Sequence, residues 1–407
     1  MNTDHDVLVL GAGPAGSALA LQLAQAGYQV ALADKKAFPR HKPCGEFFSP
    51  GCVPYLTALG LGDSLHELGA CRVTGMRLSH GEQTAHGSFQ QLPDRPAHGR
   101  TGFGVRRERF DHHLVLAAER AGATFLPRHE FVELLRDEHG RVCGAALRLA
   151  DGQVCDHRAR WVVGADGVHS RVAKALGVQR PLRWLQQMAL VAHFQGVPAL
   201  PQADVQLLRS GFFAATTVDA GLYSVNLVLP QSALHKPTAT SWDAFVDSHL
   251  VTAPTLRARL LGGVRCTPWR GTGPFAFTTT AQTQPGVMLV GDAAGYVDPL
   301  TGEGIYFALF TAKVAADALH AAMQAPNAAA AAMARYCQNR HREIAPRLFA
   351  ARLLQRGLRH PWLVRQVLTA MRRWPRLTDL LVTMAGDTIH PRDLLRPSFW
   401  RAFGATA

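Results

Sequence analysis

Cysteine is scarce in this 407-residue chain and badly placed for cross-linking: there are seven, with no C-x-x-C pair. An odd count without that spacing argues against a disulfide framework and a structural zinc site, and no metal is expected. Long apolar runs are missing too. No stretch reaches the roughly 18 residues of a membrane span, and the Ala-rich segment 314–334 is interrupted by Asp317, His320, Gln324 and Asn327. Asp4 and Asp6 carry the wrong charge for the start of a secretory signal. The expected location is therefore cytoplasmic. No internal repeat is found. Acidic residues are the remaining shortage, with 30 Asp and Glu against 43 Lys and Arg, a net charge of +13. Between Arg335 and Arg376 eleven arginines face one acid, Glu343. That segment reads either as the solvated faces of C-terminal helices or as a basic amphipathic surface for an anionic membrane. No nucleic-acid-binding motif accompanies the charge, so nucleic acid is not expected as a partner.

What is present is organised around residues 7–34, VLVLGAGPAGSALALQLAQAGYQVALAD. Four aliphatics, Val7 to Leu10, predict a short buried strand. Gly11, Gly13 and Gly16 give G-x-G-x-x-G where that strand turns into a helix opened by Pro14 and Ala15. A second strand follows, ending at Asp34. The first glycine permits the tight turn, the second lets a pyrophosphate approach the backbone, and the third lets helix and strand pack closely. The helix N-terminus offers free N–H groups and a positive dipole end to the phosphates. Asp34 stands where a carboxylate accepts ribose hydroxyls. Lys35 and Lys36 follow it and would suit a 2′-phosphate, a rival reading with NADP as the primary ligand.

Two further strands end in the same way, in a small turn with an acidic residue. GADGVHSRV carries Asp166 and Gly167, and GDAAGYVDPLTGEGI carries Gly291, Asp292, Pro299, Gly302, Gly304 and Ile305. Between them, residues 186–229 alternate as a meander of antiparallel strands. The expected fold is α/β: a Rossmann-like nucleotide-binding domain interrupted by an antiparallel β substrate domain, with a helical tail. Its parts are expected at 1–75, 101–180 and 276–333 for the first domain, 76–100 and 181–275 for the second, and 334–407 for the basic tail. The tail helices are expected to break at Pro346, Pro361 and Pro375. Gly271, Gly273 and Ala276 imitate a second fingerprint, but Pro274 interrupts them, so no second dinucleotide fold is expected.

This three-motif order resembles the FAD-dependent oxidoreductases of the aromatic-hydroxylase fold, over residues 5–310. KPCGEF, with Cys44 and Glu46, is similar to the branch holding geranylgeranyl reductases and flavin-dependent halogenases. The resemblance implies that Gly11, Gly13 and Gly16 hold the FAD pyrophosphate and Asp34 the adenosine ribose. Arg107, in R-x-x-F-D, would reach the cofactor, Asp166 would lie near the pyrophosphate, and Asp292 would meet the ribityl chain. Pro299 to Gly304 would pack beside the flavin ring, where a helix N-terminus favours the reduced, anionic ring. It also makes Cys44 and Glu46 catalytic candidates. Halogenation is disfavoured, because those enzymes carry a lysine after this loop and here none occurs between Lys42 and Lys174.

Two reactions stay open. One is an NAD(P)H-driven monooxygenase that hydroxylates an apolar aromatic or polyketide-like metabolite through a C4a-hydroperoxyflavin. The other is a reductase that transfers hydride from reduced FAD to an isoprenoid double bond with Cys44 assisting. The reductant is expected to be NAD(P)H bound transiently, or electrons from a partner reductase. Phe212, Phe213, Trp269 and Phe275 are candidates to line an apolar substrate pocket. A non-enzymatic flavin-bound membrane-surface protein is the third, weaker reading.

Overall fold

The computed structural model describes residues 3–91, 100–219, 221–233 and 241–405, so residues 92–99 of the expected substrate unit lie outside the described residues. The continuous aliphatic run of the first strand, His5–Leu10, reflects burial on both faces. Val7 and Val9 point into one core with the helices, while Leu8 and Leu10 enter a second core on the other side of the sheet. This strand is central. It pairs in parallel with Val30–Asp34 and with Val154–Gly164; the parallel run extends to Thr124–Pro127 on one side and Val287–Leu289 on the other. An antiparallel flap, Glu130–Arg136 and Val142–Arg148, joins the long strand Val154–Gly164.

Helix Pro14–Gln25 packs between Arg107–Arg120 and Gly304–Gln324, and all three feed one hydrophobic core. Gly304–Gln324 is long and apolar enough to cross a membrane by length and composition. Here its apolar residues are mostly buried against the other helices.

The second sheet runs in the order Val264–Arg265, Gln187–Gln195, Leu222–Pro230, Gly211–Val218, Gln202–Leu208, Gly75–His80 and Gln83–Ser88. It is antiparallel except where Gln202–Leu208 meets Gly75–His80 in parallel. Segment 75–88 therefore reaches this sheet from an earlier point in the chain. Side chains alternate along each strand. One face (Leu190, Phe213, Ala215, Tyr223, Val225) packs under helices Trp242–Leu250 and Pro254–Leu260. The other (Ala189, Phe212, Val228) faces Phe275, Phe277, Tyr296 and Leu300 of the glycine-rich motif. Arg270–Thr272 is a strand on Gln187–Gln195, which disposes of the false fingerprint at Gly271 and Gly273.

The tail departs from expectation at one proline. Pro361 and Pro375 do open new helices, Pro361–Arg373 and Pro375–Ala385, where a missing N–H costs nothing. Pro346, however, lies inside the continuous helix Ala329–Gly357. The tertiary contacts of that helix outweigh the lost hydrogen bond: Ile344, Arg347, Ala351 and Gln355 form its buried face.

Candidate active site

The fingerprint turn is sterically tight at two glycines and open at the third. Gly11 has φ +111, and a Cβ there would lie 2.4 Å from the Ala165 carbonyl oxygen. A Cβ on Gly16 would fall 1.9 Å from the Gly11 oxygen. At Gly13 it would meet nothing closer than the Arg40 guanidinium, 3.9 Å away. Pro14 occupies the first helical turn, Ala15 is buried behind it, and no side chain caps the helix at Gly13. The N-terminal N–H groups are left for a ligand.

Asp34 is fixed beside that turn: Ala12 N donates to Oδ2 at 2.9 Å and Lys36 N to Oδ1 at 2.9 Å. Each oxygen retains a lone pair for a hydroxyl. Arg40, which no motif singled out, sets its guanidinium 3.7 Å from Asp34 and 3.5 Å from Asp111, over the Phe38 ring. It places a cation where diphosphate charge would accumulate. Lys35 is exposed and lies with Lys36, Arg128 and Arg148 around a surface cavity on the far side of Asp34.

Asp166 accepts from Arg171 N at 2.7 Å and Val172 N at 3.2 Å, while its Oδ1 is buried with no partner. Burial pushes its pKa up. Gly167 follows at φ +78, a turn suited to glycine. An orphaned buried carboxylate oxygen against the fingerprint glycines, and an open cradle at Gly13, are what a dinucleotide with its bound solvent or counter-charge would complete. The residues present fit FAD.

The third motif closes the site from the other side. Gly291, at φ +56, donates its N–H to Thr311 Oγ1 at 2.8 Å. Asp292 is half-buried, and desolvation raises its pKa to about 6 against the opposing pull of Lys42 and Arg107. Burial, with Arg107 and Arg40 nearby, lowers that of Lys42 in turn. Pro299 accepts from Gly302 N at 3.2 Å, Gly302 has φ +72, and a Cβ there would press on Phe47 at 3.0 Å. Gly304 then starts a helix whose end carries no side-chain cap, with Ile305 buried beneath it. Asp298, at the turn, is buried and its pKa is raised to about 7 by desolvation.

Raised carboxylate values make a pH prediction. The folded chain holds the Asp292 proton more tightly than the unfolded one, so its contribution is present below about pH 4 and lost as pH rises through about 6. In the cofactor-free protein that contribution is on the order of a few kcal/mol. Asp292→Asn should be the more stable variant at neutral pH, with its advantage disappearing in acid. Denaturant titration of both proteins across that range measures it; an unchanged difference at every pH contradicts the assignment.

The loop 41–48 brings the remaining groups together. Arg107 is buried and holds Asp111 with two bonds, Nε to Oδ1 at 2.6 Å and Nη2 to Oδ2 at 2.8 Å. Its Nη1 reaches Cys44 Sγ at 3.6 Å, and Glu46 N reaches the same sulfur at 3.4 Å. Glu46 sits at φ +55, unusual for a residue with a side chain. It is held there at every polar atom. Its carbonyl accepts from Val105 N at 3.1 Å, Oε1 accepts from Arg107 N at 3.2 Å, and Oε2 meets His193 Nε2 at 2.7 Å.

His193 is a further residue of the candidate site that sequence reasoning missed. It is buried on the strand Gln187–Gln195, on the same face as Ala189. Thr267 Oγ1 accepts from His193 N at 2.8 Å and lies 3.3 Å from His193 Nδ1. One hydroxyl can accept from the amide and donate to Nδ1, leaving the Nε2 proton shared with Glu46. The His41 ring stands edge-on to His193 with centroids 6.2 Å apart. The only sequence signal was a histidine within the apolar run LVAHF.

The aromatic candidates divide. Phe212 and Phe275 lie in the cluster with Tyr296 and Leu300, on the motif side. Phe213 and Trp269 belong to the opposite face: Phe213 is packed beneath the helices and Trp269 donates to Asp243 at 3.1 Å. Phe213 is core, not pocket, because adjacent residues of a strand point to opposite sides, and Trp269 packs at the edge of that core. Among the described residues no group of three His, Cys, Asp or Glu could hold a metal ion.

Residues 4–221 match the FAD binding domain family. The menaquinone reductase of Mycolicibacterium smegmatis is 30% identical over 332 residues, covering 78% of this chain and 76% of the relative. The digeranylgeranylglycerophospholipid reductase of Methanosphaerula palustris is 27% identical over 357 residues, covering 83% and 82%. Among solved structures, the myxobacterial chondrochloren halogenase, an FAD-dependent halogenase, superposes with a TM-score of 0.80 at 26% identity, over 87% of this chain and 83% of that one. With the fingerprint geometry, the orphaned Asp166 oxygen and the Asp292 motif already in place, these matches identify the chain as a member of the FAD binding domain family and an FAD-dependent oxidoreductase.

Proposed function

We propose that the chain reduces a carbon–carbon double bond in an apolar, polyprenyl-type molecule, using electrons that NAD(P)H or a partner reductase delivers to FAD. The observation that carries this reading is the buried Glu46–His193 pair, 2.7 Å apart, on the face of the substrate sheet that meets the Tyr296–Leu300 segment. Saturating a double bond takes a hydride at one carbon and a proton at the other. FAD, when bound, supplies the hydride. A site that excludes water needs its proton from a held acid.

The chain's residues divide that work. Gly11, Gly13 and Gly16 with Arg40 would seat the diphosphate, Asp34 the ribose, and Asp292 the ribityl chain between Lys42 and Arg107. The Gly304 helix end and Gly302 would face the ring and favour its anionic form. Glu46 and His193 hold one transferable proton between Oε2 and Nε2 and release it to a group developing negative charge. Cys44, against Arg107 Nη1, lies in the same loop as Glu46 and is suited to lie against the reacting carbon. Phe212, Phe275 and Tyr296 supply apolar walls. The names of the two reductase relatives, whose substrates both bear polyprenyl chains, support the substrate class.

Hydroxylation is the second reading, favoured by the aromatic side chains of that same wall. The missing lysine between Lys42 and Lys174 weighs against halogenation. The test is the rate at which pre-reduced enzyme is reoxidised, without oxygen, by a short-chain polyprenyl ether, whose double bonds are its only electron acceptors. Reoxidation should be saturable, and Cys44→Ser should slow it about tenfold or more. No reoxidation until oxygen enters, or full activity in Cys44→Ser, would turn the reading towards hydroxylation.

A further inference from the structure

The helix Ala329–Gly357 has two opposed faces. Its buried face reaches the candidate site: Arg347 Nη1 lies 2.9 Å from Asp387 and 3.4 Å from Glu303, the residue that precedes Gly304, and Gln355 Oε1 accepts from Gln187 Nε2 at 3.2 Å. The outer face is exposed, and its composition is unusual for solvent. Positions 342, 346, 349, 353 and 356 recur at spacings of four and three, so they form one stripe along the helix. Phe349 is 68% exposed and Leu353 61% exposed in the middle of it, with Arg342 and Arg356 at its ends.

The next element begins where the stripe ends. Leu358 to His360 turn the chain into Pro361–Arg373, and a Cβ on Gly357 would touch Leu363 at 3.5 Å, so the two helices meet at this corner. Trp362, at the start of the second helix, is 66% exposed. The helix itself is anchored beneath by Val364, Leu368 and Met371, the last two packed on Ala85. Arg365 is exposed, and neither it nor Arg342 forms an ion pair among the described residues.

From this arrangement we propose that the corner formed by Arg342, Phe349, Leu353, Arg356, Trp362 and Arg365 is a docking surface for an anionic lipid bilayer. Charge complementarity selects the occupant. The exposed Arg342, Arg356 and Arg365 repel a second copy of the same surface, while phosphate headgroups neutralise them. The exposed Phe, Leu and Trp side chains enter the interface between headgroups and acyl chains, and the long arginine stems let their charges stay at headgroup level. The inference does not depend on which bond the site transforms. It does place the opposite face of the same helix, about 10 Å away, against the wall of that site. A hydrophobic substrate dissolved in the bilayer would then be presented at short range.

Co-sedimentation of the FAD-loaded protein with vesicles tests this. Vesicles of phosphatidylcholine with about a third phosphatidylglycerol should bind, and vesicles of phosphatidylcholine alone should bind at least tenfold more weakly. Raising salt from about 0.05 to about 0.5 M should weaken binding further. Arg342→Gln with Arg365→Gln should lose about fivefold per arginine removed. Phe349→Ser with Leu353→Ser, and separately Trp362→Ser, should weaken binding to the anionic vesicles while flavin content and melting temperature stay unchanged. Equal binding to both vesicle types, or wild-type binding by all three variants, would overturn the proposal. So would a concentration-dependent dimer that these substitutions abolish in a protein that ignores vesicles, which would assign the surface to self-association.

Discussion

Gly13→Val should leave a folded protein that no longer retains FAD, whereas Gly16→Ala should lose both fold and cofactor. Gly13 has φ −76, which any residue adopts, and a Cβ there faces only the tip of Arg40 at 3.9 Å. A valine therefore fits the cofactor-free chain. Its methyl groups occupy the space through which the diphosphate must approach the helix N-terminus, removing both the N–H hydrogen bonds and close contact with the dipole. Affinity should fall by about a hundredfold or more, which is about 3 kcal/mol. At Gly16 an added Cβ lands 1.9 Å from the Gly11 carbonyl and 3.1 Å from Ala165 Cβ. Only backbone movement relieves that, and overpacking of a tight core costs about 1–3 kcal/mol or more. Flavin absorbance per protein, with a thermal melt of each variant, separates the two outcomes. A Gly13→Val protein that stays yellow would place the diphosphate elsewhere.

Glu46→Gln and His193→Asn should each slow transfer to the acceptor by about 10²–10³-fold, leaving FAD content and the rate of flavin reduction near wild type. Both substitutions keep a hydrogen-bonding side chain of similar size but remove the transferable proton. Because the two groups act as one unit, the double variant should be little worse than either single one. A merely structural pair would behave differently. Breaking the 2.7 Å contact would lower stability through an unpaired buried group and leave the transfer step alone. Stopped-flow measurement of the two half-reactions distinguishes these cases, and wild-type transfer rates in both single variants would remove the pair from the chemistry.

How much of this was legible in the sequence depended on how local the determinant was. The fingerprint turn is encoded within ten residues, and Gly11, Gly16, Asp34, Asp166 and Asp292 stand where their motifs placed them, around one site. The Glu46–His193 contact spans 147 positions, and nothing in LVAHF distinguishes a site histidine from a satisfied core one. Alternation guaranteed that Phe212 and Phe213 would part company, but which face met the cofactor motif was set by tertiary packing. The tail's eleven arginines between Arg335 and Arg376 read alike in the sequence. In fact Arg340 and Arg347 are buried, one donating to the Ala294 carbonyl at 2.7 Å and the other pairing with acids, while exposed arginines border the corner at Phe349 and Trp362. Charge counts along a sequence cannot make that division.

On the proposed reading, electrons leave this site as hydride to a double bond. Mass analysis of the product from one anaerobic turnover of pre-reduced protein with a polyprenyl ether, which has no quinone ring to reduce, measures this. A product heavier by two hydrogens is expected, formed in proportion to the flavin present and without oxygen. An acceptor unchanged until oxygen is admitted, and then heavier by one oxygen atom, would contradict it.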